Sequence, residues 1–181
     1  MASPLRPGGG VLTGATSQEE WLCSRTTLYP SLHEEFYRLP EIGAIYTPDV
    51  LVFIDVITAA MLRLPEVDTN QQGELTYSEQ KDRDMALAKM RCIMRILRAR
   101  HINRVVLGAW GCGAYGNPVD EIARSWRRVL LGPQAKRSER VEVYDDMEVV
   151  FAIKDHDMAR RFTTAFGAGA VFEELGGDGV D

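Results

Sequence analysis

The stretch RVVLGAWGCGAYGNPVDEIARSWRRVL, residues 104–130, decides the fold. Its opening, RVVLGAW, is apolar and rich in valine, the pattern of a buried strand. GCGAYGN follows as a glycine-rich turn, after which Val119, Ile122, Ala123, Trp126 and Leu130 recur at helical spacing. Asn117 ahead of Pro118 reads as a helix cap followed by a first-turn proline. A strand that runs through a glycine turn into an amphipathic helix is the repeating unit of an α/β protein.

The same alternation extends to both sides. YTPDVLVFIDVI, residues 46–57, is nearly continuous in apolar character and predicts one buried strand. PEVDTNQQGELTYSEQ, residues 65–80, is polar and without period, which predicts a loop. Between residues 78 and 100, Ala86, Met90, Ile93, Met94 and Leu97 mark the buried face of an amphipathic helix. Lys81, Arg83, Lys89, Arg91, Arg95 and Arg98 then form its solvated side. QEEWLCSRTTLY, residues 18–29, predicts a helix capped by Thr16 or Ser17, EVVFAI (148–153) a strand and DMARRFTTAF (157–166) a helix. The expected fold is α/β, with helices covering a largely parallel or mixed sheet.

Composition narrows the function classes. A chain of 181 residues, 45% hydrophobic, suits one domain with a real core. Cys23, Cys92 and Cys112 lack metal-ligand spacing and follow no signal peptide, so free thiols in a reducing, intracellular compartment are expected, with neither disulfide nor structural zinc. The apolar run VLVFIDVITAAML is too short to span a bilayer and carries Asp55. With a net charge of -5, nonspecific attraction to nucleic-acid phosphates is disfavoured, and a folded pocket is expected instead of a basic groove.

Two glycine loops carry the chemistry. GCGAYG, Gly111 to Gly116, matches G-x-G-x-x-G between a strand and a helix, where close backbone approach and free amides favour a phosphate. A tight turn with no ligand satisfies the same pattern, and the acid that a nicotinamide-binding fold places about 20 residues on has only the late Asp145 and Asp146 as candidates. The other loop, PGGG (residues 7–10), leads to the helix that begins QEE. Glu20 is either the third helical residue of a capping box from Ser17 or a proton donor, since an apolar wall and a second carboxylate suit a carboxylic acid to that task. Adjacent helical residues diverge by about 100°, so Glu19 and Glu20 cannot flank one scissile bond, and a single member of the pair is the acid/base. A nucleophilic Cys112 lacks a base, because His33, His101 and His156 are distant in sequence and carry no motif.

These residues resemble a family. PGGGVLTGATSQEEWLCSRTTLYPSL is similar to the G-G-G, spacer, Q-E-E signature of the poly(ADP-ribose) glycohydrolases, bacterial-type and fungal members above all. YTPDVLVFID, VITAAM, VVLGAWGCGAYGNP and VVFAIKD follow in the family's order. The resemblance implies a macrodomain-like three-layer fold with a mixed central sheet over residues 1–166, followed by a flexible acidic tail over 167–181. It implies that Gly8, Gly9 and Gly10 lie beside the distal ribose, that Glu20 is the catalytic acid/base, and that Glu19 holds ribose hydroxyls with support from Gln18. Gly111, Cys112, Gly113, Ala114, Gly116 and Asn117 would wrap the diphosphate, with Tyr115 packed over the ribose end. No metal or cofactor is implied.

The substrate implied is poly(ADP-ribose) or ADP-ribosylated protein, cut at the ribose–ribose O-glycosidic bond to release ADP-ribose, in an intracellular setting tied to the DNA damage response, with no sequence-specific nucleic acid and no membrane as partner. The family also carries a segment ahead of PGGG, so this chain is expected to lack amino-terminal strands. A non-catalytic ADP-ribose-binding module, or an inactive fragment, is the alternative.

Overall fold

The computed structural model describes residues 3–50, 54–132, 144, 146–171 and 173. Asp145 and most of the expected tail lie outside the described residues, as do residues 51–53. In chain order the elements are α1 (Gln18–Cys23), α2 (Leu28–Ser31), β1 (Ile45–Val50), β2 (Ile54–Thr58), β3 (Val67–Thr69) and β4 (Leu75–Tyr77), then α3 (Gln80–Ala99), β5 (Arg104–Leu107), α4 (Val119–Leu131), β6 (Glu148–Phe151) and α5 (His156–Phe166). The α/β class stands. Among the described residues the strands pair as three two-stranded ladders: β1–β2 and β3–β4 antiparallel, β5–β6 parallel with Val105 opposite Val149.

Two expected elements resolve differently. The run at 46–57 is not one strand, because β1 and β2 pair antiparallel with Tyr46 opposite Ile57. Within β1 the register shifts between Thr47 and Val50, where Asp49 takes a left-handed φ of 52°, a conformation that Asp tolerates better than most residues. Asp55 of β2 steadies this irregularity, accepting from Asp49 N at 3.3 Å and from the Tyr46 hydroxyl. The supposed loop at 65–80 holds the β3–β4 hairpin, with Asp68 opposite Thr76. Its turn is built on Asn70, whose Oδ1 accepts from the amides of Gln72 and Glu74 at 2.9 Å each, and on Gly73 at φ 81°.

The expected helix over 18–29 is broken into α1 and α2. Thr26 Oγ1 donates to Leu22 O at 2.8 Å and accepts from Leu28 N at 3.1 Å. A threonine side chain that satisfies the backbone locally competes with the helical ladder. Helix α3 matches expectation except at Lys89, which is buried against Glu41, accepted by its backbone oxygen and lying 3.3 Å from its carboxylate. Helix α5 is capped by Asp155, which accepts from Met158 N at 2.8 Å.

The buried side chains fall into two clusters. The larger joins α3, α4 and α5 to the inner face of β5–β6, around Met90, Met94, Ile122 and Trp126. Phe151 of β6 links Trp126 to Phe162 and Phe166 of α5, with ring centroids 6.0, 4.8 and 5.9 Å away. The smaller gathers Cys23, Leu28, Leu32 and Val50, and seats the first glycine loop and α1 on the β1–β2 hairpin. No helix among the described residues is long and apolar enough to cross a membrane.

Candidate active site

The first glycine loop is a tight coil. Gly8 and Gly9 hold φ of 60° and 55°, which side chains other than glycine rarely adopt. Gly9 N donates to Arg6 O at 3.2 Å, Val11 N to Gly8 O at 3.0 Å, and Ala15 N to Gly10 O at 3.1 Å. A Cβ on Gly8 would meet the Tyr29 ring at 2.7 Å, and one on Gly9 would meet Glu20 Oε1 at 2.5 Å. The glycines are therefore required where the backbone passes α2 and where it passes the carboxyl.

Both glutamates of α1 are buried, Glu19 at 4% exposure and Glu20 at 8%. The capping-box expectation is corrected here, for Ser17 makes no side-chain bond to the backbone of the helix start. Its hydroxyl contacts Glu20 Oε2 instead, and Glu20 Oε1 accepts from Gly10 N at 3.0 Å. The glycine loop and the Ser17 hydroxyl, and not the backbone of the helix start, hold the carboxyl. Glu19 faces other partners, with Oε2 accepting from Ser3 N at 2.7 Å and Oε1 lying 3.5 Å from the Tyr37 hydroxyl.

Burial pushes Glu19 up to about 7, and the neighbouring Glu20 charge acts in the same direction, against the Ser3 amide. Burial, helped by the second carboxyl, thus leaves a proton on Glu19 over most of the acidic range. Cys23, one turn along α1, is pushed up to about 11 by burial and by both glutamates.

The second loop closes on itself. Asn117 N donates to Gly111 O at 3.0 Å and Gly116 N to Gly113 O at 2.9 Å. Asn117 is corrected from cap to clasp: Pro118 occupies the cap position of α4, while Asn117 is 3% exposed beneath the loop. Its Nδ2 donates to Leu62 O at 2.7 Å and Gly111 O at 3.1 Å, and its Oδ1 accepts from the Tyr77 hydroxyl at 2.7 Å. Gly111, at φ 84°, leaves no room for a Cβ, which would stand 2.5 Å from that Nδ2. The rim, Gly113, Ala114 and Gly116, is exposed, and the amides of Gly113 and Ala114 take no backbone partner among the described residues. Such amides favour an anion.

The second loop lies within electrostatic reach of the two glutamates. Tyr115 is raised by burial first and then by the charges of Glu19 and Glu20, opposed by Arg63. Gln18 is exposed, with its Oε1 3.7 Å from the Cβ position of Gly108, where the chain leaves β5. Cys112 is pushed up to about 12, chiefly by burial, which leaves it a thiol and a poor nucleophile. Tyr37 and Ser3, which touch Glu19, and Tyr77, which touches Asn117, carried no signal in the sequence, because each acts through a tertiary contact and none lies in a motif.

Grooves elsewhere are separate. One of about 430 Å³ is lined by Phe36, Leu39, Pro40, Gly43, Ala44, Ile45 and Tyr46, none of them in either glycine loop. Among the described residues no three His, Cys, Asp or Glu side chains group as a metal site.

Comparison with known proteins finds a family model that matches the amino-terminal part of the chain and solved structures that resemble its fold. Residues 1–55 match the model of the microbial-type PARG catalytic domain. The poly(ADP-ribose) glycohydrolase of Thermomonospora curvata bound to the inhibitor ADP-HPD is 28% identical, with a TM-score of 0.61 over 91% of this chain and 66% of its own. Two structures of the Deinococcus radiodurans enzyme in complex with ADP-ribose are 25% and 26% identical, each with a TM-score of 0.63 over 91% of this chain and 71% and 70% of their own. This chain therefore spans slightly less than two thirds of the length of the Thermomonospora enzyme. Curated protein sequences give no match.

Proposed function

We propose that the chain is a poly(ADP-ribose) glycohydrolase of the microbial type, a reading supported by the match of its first 55 residues to that family's model and by its likeness to two bacterial enzymes, and that it hydrolyses the ribose–ribose O-glycosidic bond at the end of a poly(ADP-ribose) chain and releases ADP-ribose. The observation that carries this reading is the Glu20 carboxyl held against the first glycine loop, with Oε1 3.0 Å from Gly10 N. The amide fixes one oxygen and so sets the direction in which the other is presented.

Glu20, in its acid form, donates its proton to the departing ribose oxygen as the glycosidic C–O bond breaks and the sugar becomes oxocarbenium-like. Its carboxylate then takes a proton from the water that attacks the anomeric carbon, which restores the acid and completes hydrolysis. Glu19, pushed up to about 7 by burial, keeps a proton through much of the working range. A neutral Glu19 spares the site a second negative charge and leaves a carboxyl to orient ribose hydroxyls. Gly113 and Ala114 turn their amides to the diphosphate, Tyr115 packs over the ribose end, and Gln18 bridges toward β5. Asn117 supports the loop from beneath. The substrate is poly(ADP-ribose), free or on modified proteins, in an intracellular setting.

The test is release of ADP-ribose from an automodified polymerase by the purified chain. Glu20→Gln should lower the rate by about 10²–10⁴-fold and retain ADP-ribose binding by calorimetry. Turnover undiminished in Glu20→Gln would remove the acid/base role. Tight ADP-ribose binding by the parent chain with no hydrolysis would make it a binding module instead.

A further inference from the structure

We infer that Tyr37 is a positioning residue of this site, whose hydroxyl ties Glu19 to the first glycine loop and so fixes how the two neighbouring carboxyls are divided between protein and substrate. Tyr37 follows the 3-10 turn Glu34–Phe36 and is half-buried against the smaller core cluster. Its hydroxyl lies 3.5 Å from Glu19 Oε1. The O···O distance is long for a hydroxyl donor, as catalytic hydrogen bonds commonly are before substrate binds. The Gly8 amide faces the same hydroxyl. Two residues on, Leu39 N donates to Pro4 O at 2.9 Å, which pins this segment to the strand of chain that enters the glycines.

The consequence follows from helix geometry. Consecutive residues of α1 diverge by about 100°, so the helix alone does not determine where either carboxyl points. Glu19 is held at both oxygens, by Ser3 N and by Tyr37, whereas Glu20 is held by the Gly10 amide and the Ser17 hydroxyl. Because Gly8 and Gly10 belong to one coil, a shift of Tyr37 moves the partners of both glutamates. The groups that face Glu19 are Glu20 and Cys23 of its own helix, Tyr37 from the segment after α2, and Tyr115 from the second loop. Tyr37 is the donor among them, and its hydrogen bond favours the charged form of Glu19. Without it, the proton on Glu19 is held more tightly.

The kinetic arm of the test rests on the hydrolase reading; the titration arm does not. Tyr37→Phe keeps the ring in the core and removes only the hydroxyl. It should leave the melting temperature within about 2 °C and ADP-ribose affinity within about twofold, lower kcat about tenfold, and leave KM within about twofold, the loss of one oriented hydrogen bond. The limb of the pH–rate profile set by Glu19 should move to higher pH. In the ligand-free protein, carboxyl-carbon NMR of labelled glutamate should place the Glu19 midpoint higher in Tyr37→Phe than in the parent. Tyr37→Ala, if it folds, should lose activity further. A Tyr37→Phe protein with parent kcat and an unmoved Glu19 midpoint would overturn the inference. A parent chain that turns over no polymer, while its Glu19 midpoint still moves in Tyr37→Phe, would count against the hydrolase reading and leave the positioning role standing.

Discussion

A Cβ placed on Gly9 would stand 2.5 Å from Glu20 Oε1, and Gly9 itself holds a left-handed φ of 55°. Gly9→Ala therefore meets two obstacles, a backbone conformation that disfavours alanine and a carboxyl that must move aside. The expected outcome is a loss of about 1–3 kcal/mol of stability and a fall in turnover of about 100-fold or more, since an ångström of misplacement is enough for that. Gly14→Ala is the control. It shares the left-handed φ, at 81°, but its Cβ has nothing within 4 Å, so it should lose stability of about 1 kcal/mol and keep its turnover. Thermal melts and initial rates on the two variants check both halves.

Glu19 makes stability depend on pH. Its carboxyl is pushed up to about 7 by burial from an ordinary value of 4.5, so the folded state binds the proton more tightly than the unfolded chain. The stabilisation from that proton is fully present below about pH 4.5, declines as pH rises, and is gone above about pH 7. Glu19→Gln removes the titration. At pH 5 the variant should melt within about 1 °C of the parent, and at pH 8 it should be more stable by on the order of 1–2 kcal/mol, allowing for solvent screening. A pH series of melting temperatures decides it; parallel curves for parent and variant would contradict the burial of this carboxyl.

Asn117 clasps the second loop by bonds to Leu62 O, Gly111 O and the Tyr77 hydroxyl. Asn117→Ala leaves a buried tyrosine hydroxyl without its acceptor and the Leu62 carbonyl without its donor, while Gly111 O keeps the backbone amide of residue 117. Each such group costs about 1–3 kcal/mol, and the expected net loss is about 3 kcal/mol after water fills part of the gap. Because the exposed amides of Gly113 and Ala114 ride on this loop, ADP-ribose binding by calorimetry should weaken about tenfold or more. Tyr77→Phe removes one partner only and should cost about 1–2 kcal/mol with affinity nearly kept.

The strand, glycine turn and helix at 104–130 were legible because three independent signals agree there: a β-branched run, clustered glycines, and a helical period. The two hairpins were not. The run at 46–57 carries polar residues only at Thr47, Asp49 and Asp55 and no glycine to mark a turn, and β3 and β4 are three residues each, too short to display a period. Asn70 and Gly73 between VDT and LTY were the available signal for the second hairpin. Around the glutamates the spacing of Ser17 and Glu20 by itself favoured a capping box, and the catalytic acid followed from the family resemblance. Only the tertiary fold brings Gly10 N to the Glu20 carboxyl, which removes the capping geometry. Asn117 misled for the same reason, since an Asn before Pro at a helix start caps in most settings, and here a hairpin and Leu62 reach it first.

Trp126 links the second loop's scaffold to the rest of the core. It is 1% exposed, with Trp110 and Phe151 at ring-centroid distances of 6.3 and 6.0 Å. Its indole Nε1 finds no hydrogen-bond partner among the described residues, an unfavourable burial that an aromatic hydrocarbon avoids. Trp126→Phe gives up ring area but also removes that orphan donor, so its expected cost is below about 1.5 kcal/mol. Trp126→Ala leaves a cavity between α4 and β6 and should cost about 3–5 kcal/mol. Trp110 provides the contrast, because its Nε1 donates to Ala59 O at 3.2 Å, and Trp110→Phe orphans that carbonyl. Denaturant titration should therefore rank the parent first, then Trp126→Phe, then Trp110→Phe, with Trp126→Ala well below. Ala59 precedes the Met61 side chain that packs against Gly111, so Trp110→Phe, unlike Trp126→Phe, should also weaken ADP-ribose binding measurably.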